Sequence, residues 1–432
     1  MTTSEQRIEA FSALVFDTAK AGALRDLIAP PYDLVDTAQQ QALYARSPFN
    51  VIRLELNRDA DPYASAATTL DNWIRERVLV RHAPPALFHY TQRFEVAGKL
   101  LARSGIIARV RLEAFSSGRI LPHEKTFPKA KEDRLRLLTA TRTNISSIFG
   151  LYPSTDSGLK ALLAAIAART PSFEAVDDNG FAHEIRSIVA GEEIAAIQSA
   201  LAEVQILIAD GHHRYETALE YQRRCRAAQP DSLASHGYDS VMMTLVAFDD
   251  PGLVILPTHR VVRAIAPAPL ASFAARAREY FILEEFASGS VLQSALIQRG
   301  RGALALALRG QALRLLTLRN AAAMAAAAPD LPPAVRDLDV ARLHTLILDR
   351  ICGIGADQVR QGGNITYTID APGALASVAR GDADGAFLMN PPTVDDVARV
   401  SAIGATMPEK STYFFPKLVT GMVLNPLDVQ VA

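Results

Sequence analysis

Short runs of apolar and β-branched residues alternate with segments of helical periodicity along almost the whole chain, which predicts a mixed α/β architecture. Asn50 to Leu56 reads as a short strand, with Asn50, Ile52 and Leu54 on one face and Val51, Arg53 and Glu55 on the other. Asp61 to Val80 reads as a helix carrying the only tryptophan, Trp73, and Leu87 to Arg111 as a hairpin turning near Gly98. A helix from about Lys129 to Thr141 precedes the apolar run Ile145 to Tyr152 and an Ala/Leu-rich helix around Leu159 to Arg169. Ile206 to Ile208 is patterned as a strand core, Asp210 to His213 as a turn and Arg214 to Ala228 as a helix. After Pro257 and Pro267 the composition shifts towards Ala and Leu, so a boundary is expected near residue 266, with a first domain over 1–265 and a C-terminal α/β domain over 266–432. The alanine-rich Ala321 to Ala328 reads as filler or connection.

Composition narrows the classes. The chain has 432 residues, 49% hydrophobic and 21% charged, ample for a large buried core. Its 45 Lys and Arg against 46 Asp and Glu leave a formal charge of −1, which disfavours a strongly basic nucleic-acid binder and requires any anion site to be local. Two cysteines, Cys225 and Cys352, without a CxxC, exclude a disulfide scaffold and a thiolate zinc site. No signal-peptide pattern and no apolar run of membrane length stand out, so a cytoplasmic location away from membranes is expected.

The sharpest chemical signal is Asp210-Gly211-His212-His213-Arg214-Tyr215. Glycine lets a backbone approach a ligand, and the amides that follow open at a helix amino end, a geometry suited to an anion. Arg214 offers a planar fork to phosphate oxygens, either histidine can donate or move a proton near neutral pH, and Asp210 can hold a tautomer or activate a hydroxyl. An aspartate cap over a packed histidine would give part of the same pattern, but not all of its consecutive polar residues.

Arg119 to Asn144 holds seven cations, Arg119, Lys125, Lys129, Lys131, Arg134, Arg136 and Arg142, against Glu124, Glu132 and Asp133, a local charge of +4. His123, Lys125, Lys129 and Arg142 are its candidate phosphate ligands, with Arg53 from the earlier segment; a solvated basic helix is the structural alternative. Pro30-Pro31-Tyr32-Asp33 reads as a rigid turn, Thr258-His259-Arg260 as a site element or the polar end of an edge strand, and Met389 to Pro392, Lys410 to Thr412 and Pro416-Lys417 as polar segments that cover a pocket. P-loop, dinucleotide, zincin and hydrolase-elbow motifs are absent. Asp382 to Gly385 lacks the further ligands of a calcium loop, so no metal ligands are assigned.

Taken in order, Pro30 to Asp33, Asn50 to Glu55, His123 to Asn144, Asp210 to Tyr215, Leu256 to Arg260 and Lys410 to Lys417 resemble a bacterial and archaeal family known as domain of unknown function 1015, nearly end to end. The Asp210 to Arg214 box is also similar to the phosphate-binding box of the ParB/sulfiredoxin superfamily, which includes nucleotide-hydrolysing partition proteins, sulfiredoxin and free-serine kinases. This second likeness is confined to one short box. It implies a ParB/sulfiredoxin-like core with large insertions, nucleotide phosphates held by Gly211, His212, His213 and Arg214, and Asp210 as a candidate base. His212 stands where sulfiredoxin needs a cysteine, and no helix-turn-helix is evident after the box, so neither sulfinic acid reduction nor DNA segregation is expected.

The resulting expectation is an enzyme that transfers or hydrolyses a phosphoryl group, using a nucleotide (ATP or ADP), magnesium and a small hydroxylated metabolite such as serine. Arg214, His213 and cations near Lys125 would hold phosphates, while Asp210 or Glu55 activates the hydroxyl. The alternative is a nucleotide-binding regulatory switch without metabolite turnover. The expected partner is a small phosphate ligand, with no specific nucleic acid and no membrane, and a homodimer is left open.

Overall fold

The computed structural model describes residues 7–427 apart from 125, 127, 154, 155, 230–233 and 362, and omits the side chains of 128–130, 360 and 361. It is a mixed α/β structure in which the chain forms two compact units. Unit 1 runs to Pro122, from Thr126 to Val254 and again from Pro416 onwards; unit 2 comprises Ile255–Phe415 together with His123–Lys125. Among the described residues no helix is long and apolar enough to cross a membrane.

Unit 1 is built on a nine-stranded sheet of β1 (Ile8–Glu9), β2 (Leu87–Val96), β3 (Lys99–Arg111), β4 (Ile120–Leu121), β5 (Ile148–Tyr152), β6 (Phe173–Val176), β7 (Ala182–Ile188), β8 (Ile206–Asp210) and β9 (Ser240–Ala247). Their spatial order is β4-β8-β5-β9-β3-β2-β7-β6, with β1 on β3. The hairpin pattern of Leu87 to Arg111 is realised as β2 and β3, paired from Phe88 with Ile107 to Val96 with Lys99. Alternate residues enter different cores: Ile106, Ala108 and Val110 pack with Ile148 and Ile206, while Ile107 packs with Phe88, Trp73 and Leu54. The centre of the sheet is therefore covered on both faces, which is why its strands read as nearly continuous apolar runs.

Four helices of unit 1 surround its charged and polar clusters: α1 (Ile52–Glu55), α2 (Pro62–Arg75), α3 (Pro128–Thr141) and α4 (His212–Ala228). The first corrects the strand expected over Asn50 to Leu56. Asn50 is fully buried, its Nδ2 donates to the carbonyls of Asp26 at 2.8 Å and Ile28 at 2.9 Å, and its Oδ1 accepts from the Ile52 amide at 3.0 Å. That side chain supplies the turn that starts a helix and ties it to carbonyls more than twenty residues away, and together these bonds override the β-branched pattern. Arg53 and Glu55 accordingly do not pair with each other.

Unit 2 has a six-stranded antiparallel sheet of β10 (His259–Val262), β11 (Phe281–Phe286), β12 (Ala303–Leu308), β13 (Leu313–Leu318), β14 (Ile365–Thr368) and β15 (Gly385–Met389), in the order β11-β13-β12-β15-β10-β14. β10 lies between β15 and β14, so Thr258 to Arg260 leads into an interior strand rather than an edge. Both cysteines are free, and the alanine tract is a short helix, Ala321–Ala327.

Asn50→Ala would leave the buried Ile28 carbonyl and Ile52 amide, and the part-buried Asp26 carbonyl, without their partner, and since each buried group left unpaired costs about 1–3 kcal/mol, a loss of roughly 2–6 kcal/mol is expected. Urea unfolding of the variant checks this; a loss under about 0.5 kcal/mol would show that Asn50 does not fix the turn.

Candidate functional site

The amino end of α4 is set by three local features. The register of β8 against β5 shifts between Ile208 and Asp210, an irregularity at the end of the strand. Gly211 comes next at φ +94°, and a Cβ there would lie 3.0 Å from Arg214 Nε and Nη2, so glycine permits both the backbone turn and the folding of the guanidinium back over it. The helix then begins at His212, slightly earlier than the sequence pattern places it, with no side chain capping its amino end.

Asp210 is the centre of the charges here. Its Oδ2 accepts from Arg214 Nη2 at 3.0 Å and its Oδ1 from Lys417 Nζ, while Arg214 Nη1 also donates to the Ser147 carbonyl. All three side chains are largely buried, at 23% exposure for Asp210, 14% for Arg214 and 11% for Lys417. Burial would raise the Asp210 pKa, but the charges of Lys417 and Arg214, the Lys417 hydrogen bond and nearby His212 outweigh it and hold the carboxyl well below the usual carboxylate range. A carboxylate so stabilised is a weak base; it orients two cations.

Arg214 also lines a cavity of about 50 Å³ shared with Glu55, Arg134, Asn144, Ser146 and Thr217. Glu55, 3% exposed, receives Arg134 Nη1 at 3.0 Å and the Ser146 hydroxyl at 3.5 Å on Oε1. Its Oε2 and the Nε of Arg214 are buried and lack hydrogen-bond partners. Arg134 is pinned in turn: it is bonded to Asp133 at 2.8 Å through Nε, and its guanidinium lies 4.3 Å over the Tyr32 ring. Burial lowers the Arg134 pKa, yet Glu55 and Asp133 reverse this and raise it.

Of the other candidates, Arg53 and Arg142 do not line this cavity. Arg53 donates to the carbonyls of Tyr44 at 2.8 Å and Ser47 at 3.4 Å and lies 4.3 Å over the Tyr44 ring, outside the cavity. His123 belongs to unit 2, where it is fully buried and its Nε2 lies 2.9 Å from Thr412 Oγ1. Lys125 and the side chain of Lys129 lie outside the described residues. Arg142 is exposed at φ +46°, just beyond α3, and is not among the cavity's lining residues. The basic segment thus reaches Arg214 through Arg134 and Asn144. Two more of its cations are engaged internally, Lys131 with Glu216 at 2.7 Å and Arg136 with the Tyr63 ring at 4.2 Å. His213 is half-buried on the first turn of α4.

Lys417 and Arg134 are members of this cluster that sequence reasoning did not assign. Lys417 had a usable signal, a Pro-Lys pair inside a segment of family likeness, but its separation from Asp210 in the chain hid the pairing. The family model described as Protein of unknown function (DUF1015) matches residues 8–341. The chain belongs to this family. No curated protein matches it significantly in sequence. Among solved structures, this DUF1015 member is similar to a conserved hypothetical protein from Pyrococcus furiosus, with 13% identity, a TM-score of 0.36, and 76% of this chain and 94% of that chain covered. A free serine kinase in complex with AMP matches at 14% identity and a TM-score of 0.36, covering 76% and 91%. SbnI from Staphylococcus aureus, truncated at its C-terminus, matches at 9% identity and a TM-score of 0.34, covering 75% and 86%.

Because the folded pKa of Asp210 lies below its unfolded value near 3.8, the stability it contributes is complete above that value and is lost as pH falls through the folded pKa. Asp210→Asn leaves two cations without their anion and is expected to lower stability at neutral pH by about 2–4 kcal/mol, below the figure for a wholly buried pair because the site is partly exposed. Its melting temperature should also fall less steeply than that of the wild type between about pH 4 and pH 2. Parallel acid slopes in thermal scans would refute the assignment.

Proposed function

We propose that unit 1 is a phosphoryl-transfer enzyme whose anion site is the amino end of α4, with Arg214 and Lys417 as phosphate ligands. The observation that carries this reading is the pair of cations on one carboxylate at an uncapped helix end, beside a cavity holding an unpartnered carboxylate oxygen. Two cations against one anion leave a net positive charge where the helix amides already favour negative groups. Phosphate oxygens can take the guanidinium and ammonium donors that Asp210 holds in the free protein, and His213 can add a donor from the first turn.

Glu55 is the residue suited to the acceptor side. Its free Oε2 can take the proton of a hydroxyl that lies between it and Arg214, while the hydroxyl oxygen accepts from Arg214 Nε. Arg134 keeps that carboxylate oriented. The small cavity favours a compact alcohol over a sugar ring, in keeping with the small hydroxylated metabolite suggested by the sequence. A nucleotide would supply the phosphoryl group, and the cations and helix end fit its phosphates. Magnesium fits less well as a protein-held ion: both Asp210 oxygens are engaged, and among the described residues no group of three or more His, Cys, Asp or Glu could hold a metal.

Arg214→Ala is expected to weaken ADP or ATP binding by about 1.5–3 kcal/mol, the range for hydrogen bonds to charged groups, in a folded protein. Glu55→Gln should bind nucleotide normally and lose turnover of a hydroxyl acceptor by roughly 10²–10⁴-fold. Calorimetric titration with coupled phosphoryl-transfer assays checks both, and wild-type nucleotide affinity in folded Arg214→Ala would overturn the reading.

A further inference from the structure

A row of buried polar side chains crosses the sheet of unit 1. His183 on β7 is paired in register with Gln92 on β2, and Gln92 with Arg103 on β3. Directly paired residues share a face, and Tyr90, two residues from Gln92, shares it too. Exposure is 0% for His183, 1% for Gln92, 1% for Arg103 and 4% for Tyr90. Polar groups in such a position are costly unless bonded, so their partners reveal what the row is for.

Those partners include the returning chain segment 416–419. Arg103 Nη2 donates to the Gln92 amide oxygen and to the Pro416 carbonyl. Gln92 Nε2 donates to the Lys417 carbonyl at 3.2 Å. The Val419 backbone bonds the Tyr90 hydroxyl. That hydroxyl lies 2.8 Å from His183 Nδ1, and His183 Nε2 lies 3.3 Å from Asp177 Oδ2. The carboxylate must accept, so Nε2 donates to Asp177, and the Tyr90 oxygen accepts from the Val419 backbone. One unbroken chain of hydrogen bonds therefore links Asp177 to the segment that carries Lys417.

We infer that Gln92, Arg103 and Tyr90, backed by His183 and Asp177, are positioning residues that clamp the main chain on both sides of Lys417 and so hold its ammonium on Asp210. With its own carbonyl, the preceding Pro416 carbonyl and the Val419 amide two residues on fixed, Lys417 can move its ammonium only through its own side-chain torsions. This rests on the reading of Lys417 as a phosphate ligand for its functional meaning, but the clamp is testable without any ligand.

The test is the rate of acetylation of Lys417 by an N-hydroxysuccinimide ester, followed by peptide mass spectrometry on the full chain. Exposed Lys99 and ion-paired Lys131 serve as internal references. Tyr90→Phe and Gln92→Leu should each raise the Lys417 rate at least about five-fold, with the reference lysines unchanged and folding confirmed by a cooperative melt. Gln92→Glu, which keeps an acceptor for Arg103 but loses the donor to Lys417, should fall between wild type and Gln92→Leu. Wild-type Lys417 rates in folded Tyr90→Phe and Gln92→Glu would overturn the clamp, even if Gln92→Leu fails to fold. Inorganic phosphate added to the wild type separates the two ideas: a clamp effect without phosphate protection of Lys417 refutes the anion site alone, and protection with unaltered variant rates refutes the clamp alone.

Discussion

Two cations share the Asp210 carboxylate, and the geometry of the candidate site is the result of satisfying that arrangement away from bulk water. Arg214 can reach Asp210 because Gly211 adopts a positive φ and leaves no Cβ in the path of the guanidinium. Lys417 reaches it from a distant segment anchored across the sheet. Removing either cation alters more than one hydrogen bond, since the carboxylate then loses a charge that keeps it ionised in a largely buried position.

A similar economy operates around Glu55. Its carboxylate is buried by α1, held by Arg134 from α3, and Arg134 is fixed by Asp133 and by the face of Tyr32. Asp133 in turn accepts from the Tyr63 hydroxyl of α2 at 2.8 Å, so three helices are tied together by one chain of charged and polar contacts. Such networks are stable when every member is bonded, and one unpaired oxygen or N–H within them marks a place for an exchangeable partner. The unpartnered Glu55 Oε2 and Arg214 Nε, lining one cavity, are of this kind.

Unit 2 solves a different problem with the same residue types. Arg260 is fully buried and donates to the carbonyls of Glu409 at 3.2 Å and Lys410 at 3.1 Å, with its guanidinium 5.2 Å from the Tyr367 ring. Burial pushes its pKa down to about 10, and burial together with the Arg260 charge pushes His259 down to about 4 and His344 to about 3, so both histidines are neutral at physiological pH. Glu124 accepts from the Ser411 amide at 3.2 Å, and His123 meets Thr412. His123 to Glu124, Thr258 to Arg260 and Lys410 to Thr412, scattered in sequence, are thus contact partners within one unit, holding a strap of chain in place.

The sequence alone determined the elements whose causes are local. The hairpin from Leu87 to Arg111, the basic helix ending at Thr141 and the strand, glycine and helix around Asp210 were legible because alternation, periodicity and the glycine act over a few residues. Family membership was legible because several motifs recur in one order. Tertiary structure decided the rest. Asn50 turned a β-branched run into a helix by bonding carbonyls more than twenty residues away. Arg134, a residue within its helix, met Glu55, because which face of a helix is buried depends on what packs against it. Lys417 joined Asp210 through a clamp of buried residues on three strands, and no short-range pattern records a partner 207 positions distant. Charge and hydrogen bonding at the site are set by proximity in space, which the chain specifies only through its whole fold.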